Sequence, residues 1–389
     1  MADYSDIAPY LRGAVELEAA PGGLVRPRRF LPKQVDVLRK CGRARRGMAT
    51  AGVVLDFITD GSRVAFDCLV LDHLRPQHPL YREVMEHEGA LGRADEGVVD
   101  GIDVVVSAAP APAAQAASVA AATSGSANTT TTPSAPSPDS LGPMPVPVET
   151  RSYTLPVDDG RIECAFPNPD HARVEVKVWL PDIMSVAVGH LETDGSLEPA
   201  PARPYLLALG DSITQGFVVG SPSLAYPAQA AGALGLDLLN QGIAGHVFDL
   251  ATLRGLTALR DTPPVAISVA YGTNDWSRTT SAAQLRRDAE RYLDKLVWTF
   301  PDVPIYLLSP LWRVDEDTAS ASGKPLTWMG EMLREVCAAH GQVRFIDGYP
   351  ILPRNSLMLA DGRLHPGPVA ASLVADELVL AMAADAIGG

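Results

Sequence analysis

The sequence predicts a parallel α/β layer preceded by an antiparallel all-β sandwich, and three observations carry that reading. Before residue 200, short runs alternate apolar with polar side chains and are parted by turn residues, the pattern of half-buried antiparallel strands. After Pro204 the runs become continuously apolar and alternate with helical periodicity, as strands covered on both faces do. Pro201 and Pro204 mark a linker between the two textures, and a chain of 389 residues suits two domains of about 100–200 residues each. The expected division is 1–200 and 204–389.

In chain order, strands are predicted at 48–58, 63–71, 101–106, 151–157, 161–166, 172–180 and 184–190. The run Arg173, Val174, Glu175, Val176, Lys177, Val178 has the two-residue period of a pleated strand with one buried face. Thr59-Asp60-Gly61, Asp158-Asp159-Gly160 and Pro167-Asn168-Pro169 supply turns between the runs. From Val104 to Pro138 there is no charged residue, and 107–146 is almost only Ala, Pro, Ser and Thr. Such a tract buries too little apolar surface to offset its ordering entropy, so it is expected to be a mobile excursion from the sandwich. In the second half, strands are predicted at 205–209, 236–239, 265–269, 305–308 and 343–346. Helices fall between them: 282–300, with Leu285, Ala289, Tyr292, Leu293 and Leu296 on one face and Pro301 as a stop, and about 327–340.

Composition narrows the partners. Lys and Arg total 32 against 46 Asp and Glu, a net charge of −14 that repels nucleic-acid backbones and anionic membrane surfaces. No run of about 18 apolar residues appears, and Met1 to Tyr10 lacks the basic and apolar regions of a signal peptide, so a cytoplasmic protein is expected. Cys41, Cys68, Cys164 and Cys337 form no C-x-x-C pair and read as four buried free thiols. His73, His78 and His87 have no partner at metal-ligand spacing, and Asp315-Glu316-Asp317 lacks the spacing and Gly of a calcium loop. Neither a metal nor a cofactor is expected.

The candidate chemistry lies at the strand ends. The first α/β strand runs into Gly210-Asp211-Ser212-Ile213-Thr214-Gln215-Gly216, which places a hydroxyl where open α/β sheets bind ligands. Thr214 stands where a nucleophile elbow would have Gly, and the segment lacks the extra glycines and Lys of a phosphate loop. A serine hydroxyl needs a base and oxyanion donors, and later strand ends offer both. Asn240-Gln241-Gly242-Ile243-Ala244-Gly245-His246 supplies backbone N–H groups beside Gly; Tyr271-Gly272-Thr273-Asn274-Asp275-Trp276 supplies a side-chain amide; Asp361-Gly362-Arg363-Leu364-His365-Pro366-Gly367 supplies an acid and an imidazole.

These four segments resemble the SGNH or GDSL hydrolase superfamily, whose blocks contribute Ser, Gly, Asn and His in this order, and the resemblance covers about 204–389. It implies a three-layer, flavodoxin-like α/β/α domain in which Ser212 is the nucleophile and His365 the general base and acid. The N–H groups of Ser212 and Gly245 and the amide of Asn274 would form the oxyanion hole, with Gly242 a competitor to Gly245. The family usually places its acid three residues before the histidine, a position held here by Gly362. Asp361, one residue further away, is the candidate acid, the alternative being a Ser-His dyad oriented by a backbone carbonyl.

The amino-terminal half is similar to the jelly-roll that precedes the hydrolase domain in carbohydrate esterases of family two. Together the two resemblances imply a serine esterase that removes short acyl groups, acetate above all, from a carbohydrate. A lipase or thioesterase of longer acyl chains, or a carbohydrate-binding protein without turnover, are the alternatives. Asp211 and Asp275 are expected to brace loops through backbone hydrogen bonds, and His246 to be a loop imidazole. Trp276 and Trp312 are candidates to stack on a sugar or acyl group, the alternative being walls of the core.

Overall fold

The computed structural model describes residues 6–71, 101–109, 149–154 and 160–388. Its first half is built from β1 (Leu11–Arg12), β2 (Glu16–Ala19), β3 (Val25–Arg28), β4 (Val54–Thr59), β5 (Arg63–Val70), β6 (Gly101–Ala108), β7 (Glu149–Thr154), β8 (Gly160–Ala165), β9 (Val174–Trp179), β10 (Val186–Thr193) and β11 (Glu198–Pro199). One antiparallel sheet has the order β1-β4-β9-β6-β7 with β11 added to β4, and the other has the order β2-β3-β10-β5-β8. Leu55, Phe57, Val104, Val176 and Val178 of the first sheet share one apolar cluster with Val64, Phe66, Val186 and Val188 of the second. Alternation therefore does what the sequence implies: every second side chain turns inward, each contributing about 1.5–3 kcal/mol on burial.

Two departures have local causes. The strand expected from residue 48 begins at Val54, because 48–53 form a turn in which the Val53 N–H donates to Thr50 O and Gly52 takes a φ of +73°. Between β3 and β4 the chain forms the helix Pro32–Lys40 and a short turn of helix Ala44–Gly47, neither of which the sequence pattern announced. Cys41 at the end of the first of these is exposed, so only Cys68, Cys164 and Cys337 are the buried thiols expected of all four. Beyond residue 109 the proposed excursion at 107–146 lies outside the described residues, as do His73, His78 and His87.

The second half holds β12 (Tyr205–Gly210), β13 (Asp237–Gly242), β14 (Ala266–Ala270), β15 (Ile305–Leu308) and β16 (Val343–Ile346), all parallel in the order β13-β12-β14-β15-β16. This is the doubly wound, flavodoxin-like order, which reverses direction beside β12. Helices Tyr226–Ala233 and Pro368–Ala384 cover one face through Ala230, Val374 and Leu378; helices Ala282–Thr299 and Leu326–Ala338 cover the other through Leu293, Leu296, Met329 and Leu333. Gly210, Gly242 and Ala270 stand level in the parallel register, so three loops leave the sheet side by side. Among the described residues no helix is long and apolar enough to cross a membrane.

The sandwich is fastened to this sheet by polar contacts. Arg29, fully buried, donates from Nη1 to Asn240 O at 2.6 Å and Gly242 O at 3.1 Å, and Gln34 donates to Gln241 Oε1 and Thr252 O, both at 2.8 Å. Asp103 on β6 accepts from Ser221 Oγ and from the Ser223 N–H across the same junction.

Candidate active site

Asp211 follows β12 and caps the short helix Ser212–Gln215: its Oδ1 accepts the Ile213 N–H at 3.0 Å, which fixes the turn that presents Ser212. Its other oxygen accepts from Asn274 Nδ2 at 3.2 Å, tying the loop after β14 to the loop after β12. Asp275 braces the neighbouring loops, accepting the N–H groups of Phe248 at 3.0 Å and Gly272 at 3.1 Å. Burial pushes its carboxyl up to about 7 against those two N–H groups.

His365 closes a loop that returns on itself before the helix Pro368–Ala384, with Leu359 bridged to Pro366 and the Ala360 N–H donating to His365 O at 2.7 Å. This brings the imidazole to Ser212 over 153 residues of sequence: His365 Nε2 lies 2.9 Å from Ser212 Oγ. His365 Nδ1 lies 2.7 Å from Asp361 Oδ2, while Asp361 Oδ1 accepts the N–H groups of Arg363 at 2.9 Å, Leu364 at 2.8 Å and His365 at 3.1 Å. Gly362, with φ of +69°, lets the extra residue fold into this turn, so Asp361 reaches the ring despite its displacement. Burial alone would raise the Asp361 carboxyl, but the His365 hydrogen bond and charge and the Leu364 and Arg363 N–H groups hold it down to about 2. Ser212 and His365 have no solvent-exposed surface, and the Phe217 ring packs 5.2 Å from the imidazole, centre to centre.

The loop after β13 separates the two glycine candidates. The Gly242 N–H is already spent on Asn240 Oδ1 at 2.8 Å, whereas Gly245 sits in a tight turn with φ of +70°. Gln215 bridges this turn to the helix that carries Ser212, accepting the Ala244 N–H at 2.8 Å and donating to Asp182 O of the sandwich at 2.7 Å. Sequence reading passed over Gln215, although its place three residues after Ser212 puts it on the same helical turn.

The two tryptophans are corrected. Trp276 is wholly buried in the core, its indole N–H donates to Lys324 O at 2.7 Å, and the Arg313 guanidinium lies 5.4 Å from the ring centre. Trp312 belongs to the opposite core cluster, and its N–H donates to Glu316 at 3.1 Å. Neither presents an open face to a sugar. His246 is also buried, with neither ring nitrogen hydrogen-bonded; burial and the cations of Arg43 and Arg278 push it down to about 3, which keeps it neutral. Asp315 is held between Arg313 and Arg363, which explains its carboxylate without a metal ion.

A flavodoxin-ordered sheet carrying Ser212, Asn274 and His365 on loops at the carboxyl ends of its strands defines a domain of the SGNH class. Residues 208–371 match the GDSL-like Lipase/Acylhydrolase family. Solved structures share both halves. A salicylyl-acyltransferase, SsfX3, from a tetracycline biosynthetic pathway is similar at 21% identity and a TM-score of 0.69, over 97% of this chain and 96% of that one. A family two carbohydrate esterase from Cellvibrio japonicus is similar at 15% identity and a TM-score of 0.55, over 97% and 95%. The acetyl xylan esterase Est2A from the rumen bacterium Butyrivibrio proteoclasticus is similar at 14% identity and a TM-score of 0.51, over 87% and 91%. At these identities the likeness concerns the fold. No curated protein sequence matches the chain.

Proposed function

We propose that the protein is a serine esterase that removes short acyl groups, acetate first among them, from a carbohydrate. The observation that carries the catalytic part is the unbroken chain Ser212 Oγ to His365 Nε2 at 2.9 Å and His365 Nδ1 to Asp361 at 2.7 Å. In this reading Ser212 Oγ attacks the ester carbonyl carbon and its proton passes to His365 Nε2. Asp361 holds the tautomer that leaves Nε2 free to accept and stabilises the imidazolium. The developing oxyanion is met by the N–H groups of Ser212 and Gly245 and by the Asn274 amide. His365 then returns the proton to the leaving alcohol oxygen, and water, deprotonated by the same imidazole, releases the acid and frees Ser212. The carbohydrate part draws its support from the two-part fold shared with the carbohydrate esterases above.

A second reading, transfer of the acyl group to an alcohol acceptor instead of water, draws its support from the two-part fold shared with the salicylyl-acyltransferase above.

Hydrolysis of para-nitrophenyl acetate and butyrate by the wild type and Ser212→Ala tests the esterase. Turnover should fall by at least about a thousandfold in the variant, with acetate preferred over butyrate in the wild type. Equal rates in the two proteins would remove Ser212 from the mechanism, and a butyrate preference would move the proposal to longer acyl chains. A shift of product from free acetate to acetylated acceptor, when xylo-oligosaccharide is added, would select acyl transfer.

A further inference from the structure

The turn 243–246 is held from outside its own sheet. The His246 N–H donates to Ile243 O at 3.0 Å, Gly245 is left-handed and Ala244 is not, which together define a type II turn. The central amide of this turn joins the Ala244 carbonyl to the Gly245 N–H, and because the peptide is trans the two point in opposite directions. Arg46 Nη1 donates to Ala244 O at 2.9 Å, and Arg43 Nη1 is shared between Ala244 O at 3.3 Å and Gly245 O at 2.5 Å. Arg278 also donates to Gly245 O, at 2.5 Å. Arg43 and Arg46 belong to the sandwich half, on the excursion between β3 and β4.

We propose that Arg43 and Arg46 are positioning residues for the oxyanion hole, fixing the 244–245 amide by its carbonyl so that the Gly245 N–H is aimed and polarised. The proposal rests on the reading of Gly245 as an oxyanion donor. A guanidinium on a carbonyl oxygen draws electron density from the amide nitrogen, which strengthens the N–H on the far side as a donor. The Gln215 clasp on the Ala244 N–H stops the turn from pivoting, and the buried, neutral His246 adds no competing charge beside it. The sandwich thereby acts on the chemistry through the backbone of the α/β half without touching substrate.

The test compares kcat and KM on para-nitrophenyl acetate for the wild type, Arg43→Ala, Arg46→Ala, the double variant and Ser212→Ala, with folding matched by circular dichroism and Tm. Loss of a whole oxyanion donor costs about a hundred- to a thousandfold in kcat, so a donor weakened and loosened by one missing arginine should cost about tenfold, and the double variant more. KM should stay within about threefold, because a contact realised only in the transition state leaves ground-state binding alone. A double variant with the wild-type kcat, while Ser212→Ala is inactive, overturns the proposal and leaves the esterase reading standing. So does a loss of kcat that tracks the loss of folded protein, or a raised KM with kcat unchanged. Turnover that survives Ser212→Ala overturns the esterase reading and the proposal with it.

Discussion

Asp361 is set in place by one of its oxygens and meets His365 with the other. Oδ1 is saturated by the N–H groups of Arg363, Leu364 and His365, so Oδ2 meets the His365 ring at 2.7 Å with no freedom to swing away. Replacing Asp361 with Asn puts an N–H or a neutral carbonyl where the carboxylate was, and kcat should fall by about a thousand- to ten-thousandfold through the wrong tautomer. A variant within about threefold of the wild type would mean that another group orients the ring. The same side chain predicts a pH dependence of stability. Its folded-state value, about 2, lies below the ordinary 3.8, so its stabilisation is present above about pH 4 and is lost as pH falls toward 2. The drop corresponds to about 2 kcal/mol, which urea titrations of the wild type and Asp361→Asn should show as a gap that closes between about pH 5 and pH 2. The order Ser212, Gly245, Asn274, His365 was legible in the sequence, and the structure brings its two ends, Ser212 and His365, to 2.9 Å. Trp276 misled, because its burial depends on Lys324, 48 residues away, and on a helix packed over the sheet, neither of which a local motif encodes.

At the scale of elements, the carboxyl ends of β12 and β13 press on the helix that carries Ser212. A side chain at Gly242 would strike the backbone of Thr214 and Gln215, so this glycine is needed for close approach and not for its torsion angles. Gly242→Ala should therefore cost about 1–3 kcal/mol of stability. It should also lower kcat by about tenfold to a hundredfold by displacing Ser212 from His365. Tm and steady-state kinetics check both, and an unchanged Tm would show that the two elements can separate without cost. The five parallel strands were readable to within three residues because apolar runs buried on both faces need no partner to declare themselves. β1 to β3 were not, being two to four residues long, with a Pro inside β3. The helix Pro32–Lys40 also escaped notice, since its buried face includes Gln34, a polar residue that belongs inside only because Gln241 and Thr252 of the other half satisfy it.

Across the whole molecule, the junction that the sequence marked with Pro201 and Pro204 turns on Arg203, whose charge the proline signal did not predict. Arg203 Nη2 donates to both oxygens of Glu175 at 2.6 and 2.7 Å, and Nη1 lies 3.1 Å from Asp56 and 3.8 Å from Asp237. Asp56 and Glu175 lie on adjacent strands β4 and β9 of the sandwich, whereas Asp237 opens β13, so one guanidinium spans the two halves while Lys177 answers the same two sandwich acids. Burial pushes Asp56 up to about 6, with Lys177 and Arg203 opposing, whereas the same two cations outweigh burial at Glu175 and hold its carboxyl low. Removing Arg203 leaves two buried carboxylates to share Lys177, a change that costs about 3–5 kcal/mol when a buried pair loses one partner. Loss of that cation raises both acids in the folded state. Near pH 5 they can take up a proton and relieve the repulsion, and near pH 8 they cannot without a larger cost. Arg203→Ala should thus lose more stability at pH 8 than at pH 5, and thermal unfolding at the two pH values measures the difference. An equal loss at both would mean that Arg203 contributes through its packed stem and not through its charge. If the sandwich also positions the turn at Gly245, the variant should lose kcat at temperatures well below its Tm, because loosening the junction moves Arg43 and Arg46 along with it.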